Sequence, residues 1–152
     1  MVQPIPTVTI SDKTWAVDIA NTQEEIQAGL SGWPSLFLNH GMLFDLGSDL
    51  TVTITTLQML FSLDIIFFNS SGVVTEIMYG LAPGNTEPSA IPARFFLEVN
   101  AGEAEGVVAG DYVVINDYDI PSTPSIFEGL IMATIPVMVL GLMIKAIKDY
   151  SK

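Results

Sequence analysis

The feature that most constrains this chain is an uncharged apolar run near its C-terminus. Gly129 to Ile144 contains no charged side chain, and Thr134 is its only hydroxyl. With Ile126, Phe127 and Ile147 added, the stretch reaches about 20 residues, enough for a helix to cross a hydrocarbon core of roughly 30 Å. Glu128 and Lys145 sit at its edges, where long side chains reach towards headgroups. Gly129, Leu130, Pro136, Val139, Gly141 and Ile144 mark the expected span. Pro136 is tolerated in a membrane helix and kinks it. Gly129, Ala133, Gly141 and Ala146 supply small residues for contact with a second helix. The competing expectation is a helix buried in a large assembly, because the strictly uncharged part is short.

The run divides the chain. Residues 1–115 are expected to form one β-rich domain, 116–125 a linker with Pro121 and Pro124, 126–147 the hydrophobic helix, and 148–152 a short polar tail. Lys145, Lys148 and Lys152 are three of the five basic residues, so the positive-inside rule puts the C-terminus in the cytoplasm and the domain outside. Met1 to Pro6 lacks the basic patch and apolar core of a signal peptide. Three routes then remain: a processed N-terminus, insertion directed by the span itself, or entry into a membrane during assembly of a virus particle.

Within the domain, period-2 patterns dominate. Thr7 to Ile10 and Thr14 to Ala20 alternate around a turn at Ser11–Lys13. Asn21 or Thr22 caps a helix with Glu24 and Glu25 in its first turn, and Gly29 ends it. Met42–Phe44 reads as a short strand after an Asn39–Gly41 loop, Leu50–Leu57 as an alternating one, and Leu63–Phe68 as one buried on both faces. Val73–Tyr79 returns after the Asn69–Gly72 turn. A loop over 80–92 precedes strands at 93–100 and 112–115. The expected class is α+β, mainly β: a small, partly closed barrel with one early helix and the C-terminal helix added.

Composition narrows the chemistry. The chain has 17 acidic residues against 5 basic ones, a net charge of −12, and no basic stripe, so nucleic acid is not an expected partner. An acidic surface suits solubility or a salty medium. With no Cys and a single His, His40, thiolate sites, disulfides and His-cluster metal sites are excluded. Calcium through the carboxylates of Asp45, Asp49, Glu98, Glu103, Glu105 and Asp111 stays open, although no EF-hand spacing occurs; no other cofactor is expected. Asn116–Asp119 is a locally acidic patch, and Asn69–Ser71 fits a glycosylation pattern. No serine has a base arranged to activate it. Trp33, Phe37 and Tyr79 are candidates for an aromatic contact face.

A series of ordered pieces resembles the DUF192 family of uncharacterised small domains over Trp15–Ile115. Ala28–Ser31 matches its xGLM helix end, Gly41–Asp45 its GMLF strand, and Leu60–Phe68 its LIPLDIIFI strand. Gly72–Ile77 follows, Pro92–Gly102 is similar to PARYVLEVPAG, and Gly110–Asp111 to the terminal GD. Where the family carries Trp-Met-Lys-Asn-Thr, this chain has Thr55-Thr56-Leu57-Gln58-Met59, and its 83–88 loop lacks the family's Cys. The resemblance implies a fold and no reaction. Asp64 and Arg94 lie in matched strands. They are expected to meet as a ligand-binding or structural pair, or each to bind backbone groups, and Gln58 is a third candidate ligand contact.

These readings lead to a non-catalytic, membrane-anchored binding or structural module. Its expected partners are lipid through the helix and protein partners or further copies of itself, on a cell surface or in a virion. The alternatives are an enzyme or enzyme accessory acting on an extracellular polymer through Asp64, and a cation-dependent sensor.

Overall fold

A computed structural model describes residues 2–122. The elements are β1 (Thr7–Ile10), β2 (Lys13–Ala20), α1 (Gln23–Ala28), β3 (His40–Leu50), β4 (Thr53–Thr55), β5 (Leu63–Phe68), β6 (Val74–Leu81), β7 (Thr86–Pro88), β8 (Ala93–Asn100) and β9 (Val113–Asn116). The expected segment 126–147 and the residues marking it lie outside the described residues. No helix among the described residues is long and apolar enough to cross a membrane.

Seven strands form one sheet in the order β6-β5-β8-β3-β2-β1-β9. It curls into a half-barrel. A bridge between Val73 and Tyr112 brings its two edges together at one end. β2 and β3 are the one parallel pair among these strands, because α1 lies in the crossover between them. Thr22 caps α1 by accepting a hydrogen bond from the Glu25 backbone N–H, while its hydroxyl donates to the Glu25 carboxylate. Gly29, at φ +46°, terminates it.

The central strands β5 and β8 are apolar on both faces, and this creates two cores. Ile65, Phe67 and Phe96 pack on one side with Met42, Phe44, Ile26 and Leu30. Ile66, Phe68, Phe95, Leu97 and Val99 pack on the other with Trp15, Val17 and Leu43. Phe44 stacks on Phe96 with ring centroids 4.3 Å apart, and Phe68 on Phe95 at 5.0 Å.

Three boundaries differ from the sequence reading. β3 is an 11-residue strand rather than a short one, because it pairs with β2 on one side and β8 on the other. The alternating stretch at 50–57 keeps only β4. β4 finds its partner, β7, inside the segment expected to be a loop. Pro, Gly and Asn residues there gave a turn signal, but cross-strand pairing outweighs it.

Candidate functional site

Asp64 is the second residue of β5 and is 1% exposed. Its Oδ1 accepts the Gly80 N–H at 2.8 Å, and its Oδ2 accepts those of Gly102 (2.9 Å) and Ala104 (3.0 Å). Gly80 and Gly102 have φ of +59° and +94°, a conformation that turns their N–H groups onto one carboxylate. The carboxylate thus ties the end of β6 to the turn after β8. It borders an open cleft of ≈ 480 Å³ lined by Tyr79, Gly80, Gly102, Glu105 and Gly106. With both oxygens occupied by backbone donors, Asp64 is placed to hold the chain.

Arg94 does not meet Asp64. Register explains the separation: Asp64 pairs with Val99 of β8, five residues along from Arg94. Arg94 instead forms a two-pronged pair with Asp45 of β3, Nε to Oδ1 at 2.8 Å and Nη2 to Oδ2 at 3.1 Å. Asp45 is 2% exposed. It also accepts the Gly47 N–H and the Tyr118 hydroxyl. Asn21 donates to the same Tyr118 oxygen, and Arg94 Nη2 donates to the Pro121 carbonyl at 2.8 Å. Arg94 stacks over the Phe95 ring as well. Hydrogen bonding to Asp45 raises the Arg94 pKa, and burial pushes the Tyr118 hydroxyl up to about 12. The group is a clamp. It fastens Tyr118 and Pro121, both in the stretch read as linker, to the centre of the sheet.

Sequence reasoning offered Glu98 only as one of six carboxylates for calcium and did not foresee its burial. Glu98 shares a face of β8 with Phe96 and Asn100, opposite Met42 of β3 and Ile65 of β5. It is 4% exposed, and its side chain accepts no hydrogen bond among the described residues. Burial raises its pKa from 4.5 to about 8. The one wholly buried, unpartnered side-chain oxygen among the described residues is Oε2 of Glu103. A signal existed in the sequence: Phe96 on the same face makes that face apolar, so a glutamate two residues on cannot be simply solvated.

Two loops arch over this end of β8. The Asn100 amide donates to the carbonyls of Leu36 (2.8 Å) and Phe37 (3.3 Å), and Ser62 accepts the Ala101 N–H. The Gly32 N–H donates to the Gln58 carbonyl, joining the loops. Gln58 meets that loop through its backbone, and its side chain is exposed. Leu36 and Phe61 are half-buried against the core below. Phe37, Leu38, Leu57 and Leu60 are 80%, 75%, 60% and 63% exposed and form an apolar rim, with Trp33 beside them. Tyr79 is not part of it; its hydroxyl donates to the Val107 carbonyl at the Asp64 cleft. His40 is exposed and packs edge-on against Phe37. No group of three or more metal-ligating side chains occurs among the described residues.

The sequence profile of DUF192, described as "Uncharacterized ACR", matches residues 6–115. Two solved structures are similar. One is a protein of unknown function from Novosphingobium aromaticivorans, with 28% identity, a TM-score of 0.66, and coverage of 72% of this chain and 83% of that one. The other is described as a putative transcription regulator from Sinorhizobium meliloti, with 26% identity, a TM-score of 0.69, and coverage of 78% and 98%. No curated protein matches the chain.

Proposed function

The chain belongs to the DUF192 family, and on that footing we propose that it is a non-catalytic binding module displayed beside a membrane and held there by the apolar segment 126–147. The observation that carries this reading is the Asp45–Arg94 clamp on Tyr118 and Pro121. It fastens the chain five residues before the apolar segment begins. Five extended residues span at most about 17 Å. A domain held so close to its anchor sits against the bilayer in a restricted set of orientations. That suits display of a fixed face to protein partners or to neighbouring copies, in a surface or virion assembly. The saturated Asp64 carboxylate argues against the enzyme reading built on it. The regulator description of the Sinorhizobium protein is not carried over, because a net charge of −12 offers no basic stripe for phosphate.

Carbonate extraction of native membranes, followed by protease treatment of sealed vesicles, tests the reading. The expected result is that the protein stays with the membrane and its domain is digested from outside. Release by carbonate, or recovery in a soluble particle, would remove the anchor and make segment 126–147 a packing element between subunits.

A further inference from the structure

The apolar rim lies on two loops that the fold holds side by side. The end of β8 ties down both, the Asn100 amide through the Leu36 and Phe37 carbonyls and the Ala101 N–H through the Ser62 carbonyl. The hydrogen bond from Gly32 to Gln58 joins them directly. Trp33, Phe37, Leu38, Leu57 and Leu60 therefore make one exposed patch. Side chains of that size and exposure offer about 500 Å² of apolar surface. Two such patches together reach the roughly 1,000 Å² at which specific interfaces begin.

The charge pattern selects the occupant. The chain has 17 acidic residues, yet none lies in 31–39 or 50–63. The carboxylate that touches these loops, Glu103, is turned inward: its Oε1 accepts the Trp15 indole and Asn39 backbone N–H groups, and its Oε2 is buried. Depletion of charge at the centre of an apolar patch is the mark of a protein interface. A basic partner would be drawn to carboxylates, which lie elsewhere, and an anionic lipid surface would repel the chain. A second copy, itself at −12, approaches with least repulsion where neither molecule carries a carboxylate, and this patch meets that condition.

We propose that the rim is a self-association surface on which two copies of this chain pair tip to tip, the 31–39 and 56–62 loops of one against those of its partner. The contact is isologous, the same patch on both sides. It names the partner that membrane display leaves open, and it rests on that reading for where the pair sits. The Pro121 clamp lies about 20 Å along β8 from the rim. Tip-to-tip pairing therefore sends the two anchors in opposite directions and joins facing membranes.

The test is sedimentation velocity of the full chain in nanodiscs loaded with at most one copy each. The expected result is a two-disc species that grows with concentration in the micromolar range. Leu38→Asp combined with Leu60→Asp puts carboxylates at two exposed positions of the patch and is expected to weaken pairing at least about thirtyfold. An unchanged urea midpoint shows that this variant is folded; if the midpoint falls, Leu57→Asp, at another exposed position, replaces it. Native discs that stay single at about 100 µM would overturn the proposal and leave the rim to lipid or to a different protein. Pairs that persist unweakened in the folded variant would overturn it equally. A chain that does not enter nanodiscs removes the anchor and not the pairing, which the same comparison of native chain and variant in detergent-free buffer then decides.

Discussion

A single protonated side chain sets the pH behaviour expected of the domain. With a pKa raised from 4.5 to about 8, Glu98 keeps a proton in the folded chain that the unfolded chain loses between those values. Raising the pH through that window therefore removes stability, by up to about 1.4 kcal/mol per unit, and the loss levels off above pH 8. Glu98→Gln carries no titrating group, and its buried amide costs a constant amount instead. Relative to the variant, the native chain is expected to be most stable near pH 4.5 and to fall behind by several kcal/mol at pH 8. Both tryptophans, Trp15 and Trp33, lie among the described residues, so intrinsic fluorescence in urea titrations of the full chain at pH 5, 6.5 and 8 follows this domain. A stability difference that stays constant across the three would mean that the carboxyl is solvated. Asp64 shows the other fate of a carboxylate in an apolar strand. Its position in Leu63–Phe68 announced that it needed partners, and the alternative of backbone groups is what the structure contains. The sequence could not identify the donors, because Gly80 and Gly102 reach Asp64 only through the sheet's register.

Among the elements, the tightest constraint is the contact between β3 and β8. Gly41 faces Val99, and a Cβ placed on Gly41 would lie 2.7 Å from the Glu98 carbonyl oxygen and 3.0 Å from Leu97 Cδ1. The obstacle is backbone, which cannot rotate aside. Gly41→Ala is expected to destabilise the domain by about 1–3 kcal/mol, the usual cost of overpacking, and a urea midpoint equal to the native one would show that the strands separate freely. The Asp45–Arg94 pair ties a different part of the fold. Arg94→Ala leaves a buried carboxylate without its cation, at a cost of about 3–5 kcal/mol, and frees the Pro121 carbonyl. Chymotrypsin should then cut after Tyr118 faster than in the native chain; an unchanged rate would mean that Tyr118 holds without the arginine. Period-2 patterning and turn residues made most strands legible, and the Thr22 cap and Gly29 stop bounded α1 well. The partners of Arg94 were not legible. Asp45 is 49 residues away in sequence, and no local pattern distinguishes it from Asp64 as the matching carboxylate.

Seen as a whole, the molecule has two ends that β8 connects. Arg94 and the Pro121 clamp mark one, while Asn100 and the loop carrying Leu36 and Phe37 mark the other. Six residues of extended strand separate them, about 20 Å. β5 runs antiparallel to β8, with Phe68 beside Phe95 and Leu63 beside Asn100. The turn at Ser70 therefore lies at the clamp end, and the loops carrying Leu36, Phe37 and Ser62 lie at the far end. If the chain enters a bilayer within five residues of Pro121, the clamp end faces lipid and the apolar rim faces away from it. The rim is then free to meet ligand or partner and is not a lipid-inserting surface, which reverses the reading that its exposed Phe37 and Leu38 would otherwise invite. The chain has no cysteine, so Ser70→Cys and Leu38→Cys each create a single labelling site at an exposed position. With a fluorophore at each and nitroxide-bearing lipid in the vesicles, Ser70 is expected to be quenched strongly and Leu38 weakly. Stronger quenching at Leu38 would mean that the domain docks on the membrane through its rim, and the clamp would then be a fold-stabilising contact with no part in orientation.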